Sequence, residues 1–502
     1  MNLLMALPIL VPFLTAGIGL LTRRHLAMQR RISFVGAAFL LYSSVLLLKE
    51  ILASGIQVLQ LGSWPAPYGI TFVADILSGT MVVITGLIGL ASVTYSLQTI
   101  DRERQAFGYY PVTLLLLFGI NGAFLTGDIF NLYVWFEVLL ISSFVLLSMG
   151  RSRSQIAGTV PYVVMNLLGS MLFLIAVGLL YGNTGSLNFA HLSLKLSDPV
   201  LAAVAQPISL LLLGAFGLKA AIFPLFFWLP ASYPAPPVAV SALFAGLLTK
   251  VGVYALIRTF TLLFPLPLGE PNQLLISISG LTMITGVLGA VAQNEFRRVL
   301  SFHIVSQIGY MTMGLALNTR LGIAASFFYI VHHIIVKTNL FFVSGVVQLS
   351  GGSFRLQQLG GTYRLSPFLS LLFLVSAFSL AGLPPLSGFW GKFLLAQAGL
   401  ESGQFPIVVI SLVVGLLTTF SMTKIWNEVF WKNAPNSARI NPLNRTQQLY
   451  LLLPITVLAL ITVVIGLFTD PFSSIALRAA DELIGKQAYV KLVLQNTGGA
   501  NP

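Results

Sequence analysis

Residues 201–260 read LAAVAQPISLLLLGAFGLKAAIFPLFFWLPASYPAPPVAVSALFAGLLTKVGVYALIRTF, two long apolar runs that each hold one lysine, Lys219 and Lys250. Between the lysines fall Pro224, Pro230, Pro234, Pro236 and Pro237. A charged side chain at the centre of a bilayer costs about 2.5–3.5 kcal/mol on insertion scales, so it is rarely kept without a task. Proline inside a spanning helix frees backbone groups that only protein or a water-lined cavity can satisfy. A lysine can also snorkel from a helix end to the interface, but both of these lie many residues from either end of their runs. Buried lysine beside broken helix therefore reads as part of an ion pathway.

Beyond this stretch, the chain has 502 residues, of which 56% are hydrophobic and 8% charged. Soluble domains carry about 25% charged residues, so this is an all-α polytopic membrane protein with almost no aqueous domain. The net charge of +13 is spread as single or paired Lys and Arg between apolar runs, which is a topology signal and not a nucleic-acid footprint. With no cysteine there are no disulfides, Fe–S clusters or thiolate metal sites. The N-terminal MNLLMALPILVPFLTAGIGLLTRRH has no basic leader and no small-residue cleavage site, and reads as a first span.

At about 20 apolar residues per span, the sequence divides into about fourteen transmembrane helices. The third is predicted over 71–99, the seventh (broken) over 203–235, the eighth over 238–264, the eleventh over 321–349 and the twelfth (broken) over 366–400. One set of alternate loops holds fifteen basic residues, among them Arg23, Arg24, Arg30, Arg31, Arg439 and Arg445, while the other holds Lys49, Lys195 and Arg320. The positive-inside rule makes the first set cytoplasmic and puts both termini outside, in a bacterial cell membrane.

The seventh span is broken around Pro224 and Pro230, the twelfth at Pro384 and Pro385, with Lys392 just beyond. The breaks lie five helices apart, and an odd offset reverses direction across the membrane. Helices four to eight (110–264) and nine to thirteen (272–428) thus read as two inverted five-helix repeats, a scaffold common in secondary transporters. They follow a three-helix segment (1–100) and precede a last helix (449–468) and a tail (470–502), part of which has the pattern of an amphipathic surface helix.

Few ionisable groups lie deep in the spans. Glu137 sits mid-helix in FNLYVWFEVLLISSFVLL; His332, His333 and Lys337 share FFYIVHHIIVKTNLFF, with His333 and Lys337 on one face at i, i+4. A glutamate placed near Lys219 stays ionised, and each then sets the other's proton affinity. Histidine titrates near neutrality, which suits a relay step. One acid, several lysines and histidines at mid-membrane depth are what proton transfer requires. His303 is either merely hydrogen-bonded or part of the row. Asp75 is expected to have a local or interfacial role, Asp128 and Asp470 to be cap or headgroup residues, and Gly86 and Gly89 to be helix-packing positions. No nucleotide loop, dinucleotide fingerprint, HExxH or metal-completing set of ligands is found, so neither a cofactor nor a metal is expected.

Five segments carry a family resemblance: VWFEVLL around Glu137, FGLKAAIFPLFFWLPASYPAPPVAVSALFAGLLTKVGVY around Lys219 and Lys250, RVLSFHIVSQIGYM, HHIIVKTNLFF and AGLPPLSGFWGKF. Together they resemble the antiporter-like subunits shared by respiratory complex I and the Mrp-type multisubunit cation/proton antiporters. GSWPAPYGITFVADILSG and FLTGDIFNLYVWFEVLLISSF are most similar to the Mrp branch. The resemblance implies that Glu137 pairs with Lys219, that Lys250 passes protons along the axis, that His332, His333 and Lys337 bridge two half-channels, and that Lys392 is the far-end lysine. It implies transport of H+ and Na+ in company with other integral membrane subunits. The alternative is a pumping subunit of an energy-converting redox complex; a purely structural scaffold is the third reading. The tenth helix has no acid matching Glu137, a place His303 partly fills.

Overall fold

The computed structural model describes residues 3–435 and 443–495; Arg439 of the basic loop set lies outside them. Among the described residues, twelve helices are long and apolar enough to cross a membrane, and the shorter apolar helices Tyr109–Leu125 and Pro367–Ala381 complete the expected fourteen. The third span starts later than predicted, at Ile76. Residues 71–74 instead form a strand, Thr71–Ala74, antiparallel to Gln57–Gln60. A short apolar run does not distinguish helix from strand by hydropathy, and here pairing with the preceding segment decides. The second span is longer than expected, Leu26–Ser54, so Arg30 and Arg31 lie in helix and not in a loop. Arginine is a good helix former whose long stem lets its charge reach the interface.

Both breaks are built alike. The helix Ala202–Ala220 stops at Ala221, which is left-handed at φ +63°, passes a cis Phe223–Pro224 peptide, and resumes briefly at Trp228–Ser232. The helix Pro367–Ala381 stops at Gly382, φ +93°, passes a cis Pro384–Pro385 peptide, and resumes at Ser387–Glu401. Freed backbone groups find partners inside the protein, as they must in hydrocarbon. Phe223 N–H donates to Thr282 Oγ1 (2.9 Å), and the Trp228 indole to the Leu218 carbonyl (3.2 Å). Gly388 N–H donates to Ser379 Oγ (3.2 Å).

Burial sorts the spans. The eighth (Val238–Leu262) is buried throughout its most apolar stretch, and the tenth (Phe296–Leu317) and eleventh (Arg320–Gly351) over 94% of theirs, against 39% for the sixth (Arg153–Thr184). The helices richest in titratable groups therefore form the interior, and the peripheral ones turn apolar side chains outward. Close helix approach depends on Gly86, where a Cβ would lie 2.8 Å from Leu41 Cα, and on Gly89, where it would lie 2.6 Å from Leu117 Cδ1. Both are packing positions, as read from the sequence.

The loops fall on two faces. On one, Arg297 donates to the Pro236 carbonyl (3.2 Å), and Lys432 to the carbonyls of Leu356 and Gln357. On the other lie the hairpin and the tail helices Thr469–Ile484 and Lys486–Gln495, tied down by Arg320–Asp481 (2.5 Å). The first tail helix buries Ala476, Ala479, Ala480 and Leu483 while exposing Asp470, Arg478 and Asp481, the amphipathic pattern expected of a surface helix. Asp128 is the N-cap of the fifth span, accepting from Asn131 N–H at 2.7 Å, while Asp470 lies in the first turn of the tail helix.

Candidate functional site

Glu137 projects from the fifth span (Ile129–Ser148), half-buried, and its Oε1 is buried without a hydrogen-bond partner. One residue earlier, the Phe136 ring lies under the Lys219 ammonium, 4.7 Å from its centroid, a cation–π contact that helps hold a charge in an apolar setting. Lys219 occupies the last turn of its helix before the break and donates to Ser170 Oγ of the sixth span (3.0 Å). Acid and amine do not touch: Lys219 is in none of the ion pairs found within 4.0 Å among the described residues. The expected pairing is thus one through space, in which the carboxylate acts on the amine electrostatically.

Lys250 is fully buried in the eighth span. Immediately before it, Phe244–Leu248 forms a π-helical turn, and the Lys250 ammonium donates to the Ala245 carbonyl at 2.6 Å. π turns inside α-helices are frequent at functional sites. Facing this helix, the eleventh span carries three buried titratable side chains in two turns. His333 has neither ring nitrogen hydrogen-bonded, and the Lys337 ammonium also lacks a partner. His332 shares a hydrogen bond with Ser387 Oγ (2.8 Å) through Nδ1, and its Nε2 is unpartnered. His333 is the junction, since Lys250, Lys337, His332 and His303 all act on it electrostatically.

Lys392 lies beyond the second break and reaches back to the Leu380 (3.0 Å) and Ala381 (2.9 Å) carbonyls, at the buried C-terminal end of the preceding half-helix. Its ammonium stands 4.9 Å from the Tyr310 ring centroid. His303 belongs to the same group: its Nε2 meets Ser421 Oγ at 2.5 Å, its Nδ1 is unpartnered, and Lys337 and Lys392 both act on it. Gln307 of the tenth span and Asn339 of the eleventh each also leave one buried polar atom unpartnered. These two and Ser170 and Ser387 do not stand out in the sequence, because amides and hydroxyls are scattered through nearly every span and carry no distinguishing signal. Among the described residues no three His, Asp or Glu side chains converge as metal ligands.

Asp75 stands apart from this row. It caps the third span through Ser78 N–H (2.9 Å), a local role in keeping with the sequence, and it also forms a buried ion pair with Arg258 at 2.6 Å. Arg258 is absent from the sequence-based set, although it lies eight residues after Lys250 and so two turns along one helix face. Arg258 also donates to Tyr254 OH (3.2 Å), and Glu482 of the tail accepts from Ile76 N–H (2.9 Å). Burial, and then the neighbouring Asp75 carboxylate, push Glu482 up to about 7.

Residues 126–418 match the transmembrane family described as NADH:quinone oxidoreductase/Mrp antiporter. The D-type subunit of the Na(+)/H(+) antiporter of Alkalihalophilus pseudofirmus is 43% identical over 495 residues, covering 99% of this chain and all of the relative. Its counterpart of the same name in Bacillus subtilis is 39% identical over 495 residues, again 99% of this chain and all of the relative. A chain in the solved Mrp complex from Dietzia sp. superposes with a TM-score of 0.91 at 32% identity, covering 98% of this chain and all of that one. One acid and four lysines, buried or half-buried beside two broken helices, and similarity over the whole length lead to one assignment: the chain belongs to the NADH:quinone oxidoreductase/Mrp antiporter transmembrane family, among its D-type antiporter members.

Proposed function

We propose that this chain is the proton-translocating subunit of a multisubunit Na+/H+ antiporter, a secondary transporter component and not an enzyme. Protons pass along Glu137, Lys219, Lys250, His333, Lys337, His332 and Lys392, with His303 beside the last. The observation that carries this reading is the set of buried, unpartnered polar atoms on the fifth and eleventh spans, at Glu137, His333, Lys337 and His332. A buried polar group without a partner costs about 1–3 kcal/mol, and more when charged, so these positions call for water between them. Four amines against one carboxylate give more proton sites than compensating charge. A proton entering at one end therefore raises the cost of those already present, and coupled titration moves charge along the row.

The arginine-rich face is cytoplasmic in this reading, so the hairpin, both termini and the tail helices lie outside a bacterial cell membrane. Helices four to eight and nine to thirteen act as inverted half-channels about the breaks. The chain works among other membrane subunits, carries no resident cofactor, and moves H+ in exchange for Na+.

Antiport in everted vesicles tests the reading. Glu137→Ala or Lys219→Ala abolishes exchange while the complex still assembles; wild-type exchange in either variant rules the relay out.

A further inference from the structure

On the arginine-rich face, the start of the second span borders a cleft of about 530 Å³ lined by Ala27, Arg30, Arg31, Phe34, Leu97 and Tyr450. Arg30 donates to the Leu97 carbonyl (2.6 Å) and lies by the Tyr110 hydroxyl, which still leaves donors free among the five N–H groups of a guanidinium. Neither arginine belongs to any ion pair among the described residues. Two adjacent positive charges thus edge a cleft at the membrane boundary without a protein anion.

Two apolar furrows leave this cleft on opposite sides of the second span. One, of about 460 Å³, begins at Arg31 and Val35 and runs between the first two spans past Leu14 and Ile18 to Phe39. The other, of about 160 Å³, begins at Phe34 and runs past Leu87 and Leu90 of the third span and Leu453 and Val457 of the last. From Arg31 to Phe39 is about 12 Å of helix, and from Thr94 to Leu87 about 10 Å. Half of a 30 Å hydrocarbon core is about 15 Å, so each furrow reaches through most of one leaflet.

We propose that this is a binding site for one anionic diacyl phospholipid, its phosphate held by Arg30 and Arg31 and its two acyl chains laid in the two furrows. A cationic head cradle with two apolar grooves diverging from it matches such a lipid in both charge and shape. Basic pockets between spanning helices hold acidic head groups by the same physics. The bound lipid would join the first two spans to the third and the last.

The test uses the assembled complex purified in mild detergent, with phosphatidylglycerol as the probe. The lipid retained per complex is quantified by mass spectrometry for wild type, for Arg30→Gln with Arg31→Gln, and for Arg23→Gln with Arg24→Gln, a control with the same change of charge. The first pair should lose one anionic lipid that the control keeps. Phosphatidylglycerol should raise the melting temperature of wild type more than phosphatidylcholine does. In wild type, a photoactivatable phosphatidylglycerol should label peptides spanning 27–39, which keeps the test open if the double variant fails to assemble. Equal lipid loss in both pairs, equal stabilisation by phosphatidylcholine, or labelling of a neighbouring subunit in place of 27–39 would each overturn the proposal.

Discussion

Lys219 and Lys392 each stand beside a helix break, yet their surroundings differ in kind. Lys219 precedes its break, hydrogen-bonded to a serine, above an aromatic ring, and within the field of the Glu137 carboxylate. Lys392 follows its break and turns back onto two carbonyls at the end of the preceding half-helix. A carboxylate brings a full charge and is itself a proton site. A helix C-terminus brings roughly half a charge and takes no proton. In the proposed relay the first lysine would share protons with its counter-charge through intervening water, whereas the second rests on carbonyls that take no proton. His303, hydrogen-bonded to Ser421, and His332 are both coupled electrostatically to Lys392, so imidazoles stand near it where Lys219 has a carboxylate. Similar breaks thus set a lysine in the field of a carboxylate at one end of the row and a capped amine at the other.

Substitutions at the two ends put this contrast at risk. The largest effect is expected at the proton-sharing end, where Glu137→Ala or Lys219→Ala lowers exchange in everted vesicles by about 100-fold or more, the scale of a lost proton-transfer group. Lys392→Ala is expected to cost about tenfold, in line with a helix-end contact of about 1–2 kcal/mol. If the two lysines prove equal in initial exchange rate, the distinction between them fails. Lys392→Arg separates capping from proton release: arginine keeps the cap but does not release its proton, so wild-type exchange in that variant would reduce Lys392 to a structural cap.

Asp75→Ala supplies a reference from outside the row. Leaving Arg258 buried and uncompensated should destabilise the protein by about 3–5 kcal/mol. The expected readout is less assembled complex and a lower melting temperature, with near-normal exchange per complex.

The smallest effect concerns Glu482 on the tail helix. Its carboxyl is held at about 7 against an ordinary 4.5, so it binds its proton more tightly when docked. That contribution is complete below about pH 4.5 and is lost as pH rises through about 7. Hydrogen-exchange protection of Thr469–Ile484 should fall across this window in wild type and stay level in Glu482→Gln, whose amide oxygen still accepts from Ile76. A level profile in wild type would show that Glu482 does not titrate there.

Much of the site is legible in the residues themselves, for particular reasons. Lys219, Lys250, Lys337 and Glu137 declare themselves because a charge in hydrocarbon is expensive, and Pro224 and Pro384 because proline interrupts a spanning helix. The start of the third span is misplaced by hydropathy because Thr71–Ala74 is as apolar as a helix turn. Arg258 escapes notice because it sits near the end of its apolar run, where an arginine ordinarily snorkels; its burial follows from the Asp75 carboxylate opposite it. The π turn before Lys250 leaves no mark in the residue pattern.

The order of residues was enough to determine which groups enter the membrane, since hydropathy, charge and proline act locally along the chain. What each group meets there was decided by the fold. Lys219 finds a serine 49 residues away and His303 one 118 residues away. Such partners depend on how each helix is rotated and how near its neighbours pack, which is set by contacts between distant segments.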